Sequence, residues 1–395
     1  MTTAHDMPTT GKPPVVPATT TPLRVVCIQR RLTHYRVPLF ERMRDHLAAR
    51  GIRFELVYGD PMASERSKRD DGQIDWGTHV QCRYFMGGKL CWQDATAATR
   101  GADLVIVTQE NKLLFNYLLL TLRRPRRLAF WGHGRNFQTD ARDGLRERFK
   151  RQVSVRVDWW FAYTALSQRL VQAMGFASQR ITNLENAIDT RAFAALCDEV
   201  SSADAAAFRM RWRMGDGPVG VFVGSLYAEK RIEFLLEAGA RLATSLPGFT
   251  LLMVGDGPQR DLVESACKRA PWLRYGGVQF GRDKALCLRS ADLMLNPGLV
   301  GLGILDAFAA GLPMATTDCH LHSPEIDYLR SGENGIMTAN DIDIYVDTCQ
   351  ALLTDATVRR RLGERAREDA DHYTIDNMAH RFCDGIVAAL RAAPA

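Results

Sequence analysis

The sequence predicts an α/β protein of two domains, each a parallel sheet with crossover helices. Two observations carry that expectation. A chain of 395 residues can bury two cores. Short apolar runs read as buried strands at 23–29, 54–58, 104–108, 127–131 and 159–164, then again at 219–223, 250–254, 293–295 and 314–318, with helical spacing between most of them. In the first helix that spacing places Val37, Phe40, Met43 and Leu47 on one face. Residues 66–93 are poorly patterned and read as loops with a short strand or two. The Thr-, Pro- and Ala-rich residues 1–22 read as a disordered tail without the apolar core of a signal peptide. The expected domains are 23–190 and 218–372, with a connection at 191–217 and a last helix in 373–395 crossing back to the first domain.

Composition narrows the function classes. Nine cysteines are scattered, odd in number and never spaced CxxC, which argues against a disulfide framework or a zinc site and for reduced thiols in the cytoplasm. No apolar run approaches the length of a bilayer span. Residues 1–200 hold 30 Lys+Arg and 20 Asp+Glu, a balance of +10; the remainder holds 21 and 25, or −4, giving the net +6. A basic first half suggests an anionic partner. No nucleic-acid-binding pattern is present. Residues 112–127 join an apolar helix to Arg123, Arg124, Arg126 and Arg127. That run is either a solvated helix end or a docking face for an anionic membrane surface, shared with Arg146, Arg148, Lys150 and Arg151.

The chain is organised around residues 292–313, DLMLNPGLVGLGILDAFAAGLP. A strand breaks at Asn296-Pro297-Gly298 and re-enters as an apolar helix through Gly301, Leu302 and Gly303. Glycines at a strand-to-helix turn leave backbone N–H groups bare where an anion is favoured. Asp306 follows in the first helical turn, placed to accept hydrogen bonds from sugar hydroxyls. Gly311-Leu312-Pro313 then ends the helix. Three more stretches carry candidate chemistry. Gly224-Ser225-Leu226 follows the strand 219–223 and leads to Lys230 and Arg231. Trp131-Gly132-His133-Gly134 ends the strand 127–131, where α/β folds put ligand-binding groups. Thr33-His34-Tyr35-Arg36 follows the first strand and reads equally as a cleft loop or an ordinary connection. Further on, His322-Ser323-Pro324-Glu325 opens a helix with a cap expected at Ser323.

These motifs resemble those of retaining GT-B glycosyltransferases of family 4 (glycosyltransferase group 1), over roughly residues 23–392. Asp306-Ala307-Phe308-Ala309-Ala310-Gly311 is similar to the second half of the family's acidic signature. Gly298-Leu299-Val300-Gly301 stands where Glu-Gly-Phe-Gly is expected, so the first acid is absent. The resemblance implies two doubly wound Rossmann-like domains facing across a cleft. It implies transfer from a nucleotide diphosphate sugar to a glycan or lipid-linked glycan acceptor, in cell-surface polysaccharide synthesis, with retention. No further cofactor is implied, and no metal, since no Asp-x-Asp stands in a suitable loop. His133 would position the donor sugar, Lys230 would grip the diphosphate and Asp306 would bind the ribose. Ser225 replaces the family's arginine, with Arg231 nearby; the Gly301–Gly303 backbone completes the donor site. Glu325 is the surviving acid of a further motif, expected to cap and pack. Tyr35 and Arg36 fall on the cleft loop, and Asn186-Ala187-Ile188-Asp189 is similar to the close of the family's first domain. The expected place of work is the cytoplasm, at the inner membrane face if the basic face docks. The alternative is a non-catalytic glycan-binding or scaffold subunit on the same fold.

Overall fold

A computed structural model describes residues 22–68, 70–134 and 152–393. Nine strands precede residue 184: β1 (Leu23–Gln29), β2 (Ile52–Gly59), β3 (Thr78–Val80), β4 (Cys82–Phe85), β5 (Leu90–Gln93), β6 (Leu104–Thr108), β7 (Leu128–Gly132), β8 (Trp159–Ala162) and β9 (Ile181–Asn183). Seven of them form one sheet in the order β3-β2-β1-β6-β7-β8-β9, every neighbouring pair parallel. β4 and β5 make a separate antiparallel hairpin. Six strands follow: β10 (Val219–Val223), β11 (Thr250–Val254), β12 (Leu273–Gly277), β13 (Leu293–Leu295), β14 (Met314–Thr317) and β15 (Gly335–Thr338). They form a second parallel sheet in the order β12-β11-β10-β13-β14-β15. Central strands such as Leu104–Thr108 and Thr250–Val254 are apolar on both faces and buried, because helices cover both sides of a parallel sheet. Strand order reverses between β1 and β6 and between β10 and β13. Crevices outside the carboxyl ends of strands at such points receive ligands. All the glycine-rich motifs lie at carboxyl ends.

The helix Ile375–Arg391 packs on the first sheet. Phe382 is fully buried, stacked on Phe161 at 4.4 Å between ring centroids and edge-on to Trp131 at 5.0 Å. Gly385 allows that approach: a Cβ there would lie 2.4 Å from Thr182 Oγ1 and 2.8 Å from the Phe161 ring. Arg42 also ties the first helix, Val37–Ala48, to Asp376.

Several expectations are corrected by tertiary contacts. The 66–93 stretch holds three short strands, two of them in the hairpin, whose Tyr84 hydroxyl donates to Asp60 O at 2.6 Å. Within 191–217, Thr190–Asp198 and Ser202–Arg211 are helices; Ser201 and Asp204 form a capping box at the second. Both helices add residues such as Phe193, Cys197 and Phe208 to the core. Ser323 holds the N-cap position, but its side chain makes no capping bond and Pro324–Tyr328 is a 3-10 helix. Arg127 is not on a membrane-facing surface. It is buried, and its guanidinium donates to Ala392 O at 2.7 Å. Arg124 bonds Arg156 O and pairs with Asp158, and Arg126 pairs with Asp103. Arg123, Arg124 and Arg126 all stay exposed. Residues 1–21 and the cluster Arg146, Arg148, Lys150 and Arg151 lie outside the described residues. Among the described residues no helix is long and apolar enough to cross a membrane.

Phe382 sits where the last helix meets the first sheet, so Phe382→Ala is expected to cost about 3–5 kcal/mol. Denaturant unfolding followed by fluorescence checks this; a midpoint equal to wild type would contradict it.

Candidate functional site

The turn after β13 is built by close backbone approach. A Cβ on Gly298 would lie 2.4 Å from the Lys230 carbonyl carbon and 2.5 Å from Glu229 O. Only glycine fits, and the space where an acidic side chain would begin is filled by the Glu229–Lys230 backbone. A side chain at this position, where the resemblance led to the expectation of an acid, would collide with that backbone. Leu299 N–H donates to Glu229 O at 2.8 Å, and Lys230 Nζ donates to Leu299 O at 2.5 Å. Asn296 Nδ2 reaches the same carbonyl at 3.3 Å. Lys230 is therefore buried beneath the turn, and burial pushes its ammonium down to about 8. Beyond the clasp, the N–H groups of Gly301, Leu302 and Gly303 find no acceptor among the described residues. These three residues are part-exposed, and so is Ser225.

Arg231 and Asp306 have partners already. Arg231 takes the left-handed conformation (φ 56°), and its guanidinium bonds Asn340 Oδ1 at 2.6 Å, Thr317 Oγ1 at 3.0 Å and Pro297 O at 3.3 Å. Asp306 Oδ1 accepts from Lys284 Nζ at 2.7 Å, and that ammonium sits 4.2 Å from the Phe193 ring centre.

Facing this turn, the first sheet supplies the other candidates. His133 follows β7 with its ring edge-on to Tyr163 at 4.4 Å. Burial holds its imidazole below the ordinary range and Arg36 adds to that, while Glu325 and Glu110 act against it. Gly134 has φ +76°, and a Cβ there would meet Val171 at 2.8 Å. Arg36 is buried, with its guanidinium 5.3 Å from the ring centres of both Tyr35 and Trp131. It donates to Asn186 Oδ1 at 2.6 Å, and Asn186 Nδ2 donates to Glu325 Oε1 at 2.5 Å. Glu325 is thus a buried bridge between the two halves rather than a helix cap. Arg169 pairs with Asp327 at 2.8 Å, and His34 lies edge-on to Phe280 at 6.0 Å.

The structure thus gathers Lys230, Arg231 and the 298–303 backbone around one turn. It places His133, Tyr35, Arg36 and Glu325 around Asn186. Sequence reading missed Asn186 as a bridge, Lys284 as the partner of Asp306 and His322 as a turn ligand. Asn186 was visible as a motif residue, whereas no periodic signal links positions 284 and 306.

This is a GT-B fold. The structure resembles that of Anabaena HepE in complex with UDP and glucose, with a TM-score of 0.68 at 13% identity, covering 92% of this chain and 99% of that one. Residues 217–355 match the family model described as glycosyl transferases group 1. Among curated proteins, the exopolysaccharide phosphotransferase SCO2592 of Streptomyces coelicolor is 27% identical over 218 residues, 53% of this chain and 21% of that protein. The lipopolysaccharide core biosynthesis glycosyltransferase LpsE of Rhizobium meliloti is 29% identical over 160 residues, covering 39% of this chain and 44% of that one. The matched part is less than half the length of either relative.

Gly298→Ala is expected to destabilise the protein by about 2 kcal/mol or more through backbone overlap. In contrast, Gly301→Ala, whose Cβ would meet the Ser323 side chain at 3.5 Å and Leu299 Cδ2 at 3.9 Å, both ordinary contacts, should stay within about 1 kcal/mol of wild type. Thermal unfolding of the two variants side by side checks the contrast.

Proposed function

We propose that this protein transfers a glycosyl unit from a nucleotide diphosphate sugar to a glycan or lipid-linked glycan acceptor. Transfer proceeds with retention at the anomeric carbon, in polysaccharide synthesis. The observation that carries the reading is the buried Lys230 ammonium beside a turn whose next three N–H groups have no acceptor among the described residues. A donor diphosphate gives these groups an anion, and they stabilise charge on the departing nucleotide. His133, held neutral, offers the sugar a hydrogen-bonding edge. Asp306, fixed by Lys284, keeps a carboxylate at the helix start for ribose hydroxyls. A double displacement needs a carboxylate beside the anomeric carbon. Gly298 has no room for a side chain, so a front-face route assisted by the leaving phosphate is the working mechanism. Arg231 supports the turn through Nη1, and its Nε and Nη2 donors, which find no acceptor among the described residues, leave it able to assist the phosphate. Any docking to an anionic membrane falls to the exposed Arg123 side of the patch and not to Arg127.

A thermal-shift panel of UDP, GDP, ADP and dTDP on wild type and Lys230→Ala tests this. One diphosphate should raise the melting temperature of wild type alone, because a ligand of the native state stabilises it by mass action. A flat wild-type panel at millimolar ligand would favour the non-catalytic alternative. The Lys230 value sets a second expectation. The anion pairs with the charged ammonium, so wild-type affinity should fall as pH rises through about 8. Calorimetric titration at pH 7, 8 and 9 reads it.

A further inference from the structure

His322 is the remaining ligand of the donor turn, and its chemistry differs from the others. The ring is buried, with Nδ1 3.1 Å from Val300 N and Nε2 2.7 Å from Thr317 O. A carbonyl cannot donate, so Nε2 carries the proton; Val300 N–H donates, so Nδ1 must be bare. The next residue completes the grip, since Ser323 N–H donates to Val300 O at 2.9 Å. Val300 is thus held on both sides by consecutive residues, and Gly301–Gly303 follow directly. A second proton on Nδ1 would set two donors against each other across 3.1 Å and break the clamp.

We propose that His322 is a positioning residue for the donor turn: its neutral ring fixes Val300, and with it the Gly301–Gly303 backbone, and protonation releases them. The glycosyltransferase reading is needed only for what the turn binds, not for the clamp itself.

The surroundings favour the neutral ring. Burial is the largest influence and disfavours charge; Lys230 and His320 act the same way, while Asp318 and the Thr317 carbonyl act against them. His320 is itself within 3.5 Å of Asp318, and Cys319 Sγ lies 3.6 Å from Nε2. With the folded ring held below its ordinary value, the clamp is complete above that value, near 6.5. It is lost as pH falls through the lowered folded value.

Hydrogen–deuterium exchange of the full chain, read on peptides spanning 299–305 and corrected for intrinsic rates, tests this without any ligand. Wild-type protection of Val300 should hold at pH 7.5 and drop about ten-fold once acidification passes through the lowered folded value, the loss of one buried hydrogen bond. His322→Asn keeps an acceptor that does not titrate, so its protection should be independent of pH. His322→Ala should lack the Val300 part of that protection at every pH, keeping only what bonds such as Leu299 N–H to Glu229 O supply. Protection independent of pH in wild type, or a fully protected His322→Ala, would overturn the proposal. If neither variant folds, the wild-type titration decides alone. The same preparations are probed with UDP, GDP, ADP and dTDP at pH 7.5. A pH-dependent clamp in a protein that binds none of these nucleotides would retain the His322 role and count against the glycosyltransferase reading.

Discussion

Two backbones meet at Gly298, and the geometry of the second crevice depends on that contact. Because nothing larger than hydrogen fits there, the loop after β10 and the loop after β13 lie against each other and exchange the Leu299 N–H to Glu229 O bond. The contact also decides where Lys230 goes. Its side chain runs under the turn to Leu299 O instead of into solvent, giving up hydration that costs several kcal/mol for a charged group. The depressed ammonium value records this cost. An anion arriving at the turn would offset it, so a lysine poorly solvated without ligand becomes well paired with one. Substituting a side chain for the Gly298 hydrogen would separate the loops and remove that arrangement.

A second constraint operates where the two halves meet. Arg36 and Glu325 are both buried and do not touch; the Asn186 amide stands between them, accepting from one and donating to the other. A neutral relay of this kind lets opposite charges stabilise each other without the exact placement a direct buried pair demands. Tyr35, Trp131 and Tyr163 present ring faces to the Arg36 guanidinium, adding cation–π attraction in a dry setting. His133 sits among these groups. Burial, with Arg36 as a smaller influence, favours its neutral form against the two nearby carboxylates.

What the sequence disclosed follows from the range of each interaction. The strands 23–29, 104–108, 219–223, 250–254 and 293–295 appear where their apolar runs put them, since burial on both faces leaves a continuous local signal. Glycine motifs at strand ends were legible for the same reason, because backbone geometry is written in one or two residues. The hairpin 82–93 was not, since its inner face is made of Cys82, Tyr84, Cys91 and Gln93 and lacks an apolar alternation. Charge runs misled most. Four arginines in five residues look like one surface, yet Arg127 is claimed by a carbonyl 265 positions away. The Asp306–Lys284 pair and the His322–Val300 bond are of the same kind, fixed by topology rather than by pattern.

Lys230 and Arg231 show how little adjacency says about role. As neighbouring cations they seem interchangeable candidates for a phosphate. The left-handed backbone at Arg231 separates them, sending one side chain beneath Leu299 and the other toward Pro297, Thr317 and Asn340. The guanidinium meets its three protein acceptors through Nη1 alone and lies 4.0 Å from the Phe234 ring, so its Nε and Nη2 donors find no acceptor among the described residues. The ammonium has three donors and spends one on Leu299 O among the described residues. A compact charge with donors to spare, held where water is scarce, responds strongly to a new anion. A part-exposed guanidinium at the rim, in a higher local dielectric, responds less. What separates the two cations is burial rather than spare donors: the Lys230 ammonium lies beneath the turn and the Arg231 guanidinium is part-exposed at its rim, so a leaving phosphate changes the surroundings of Lys230 more.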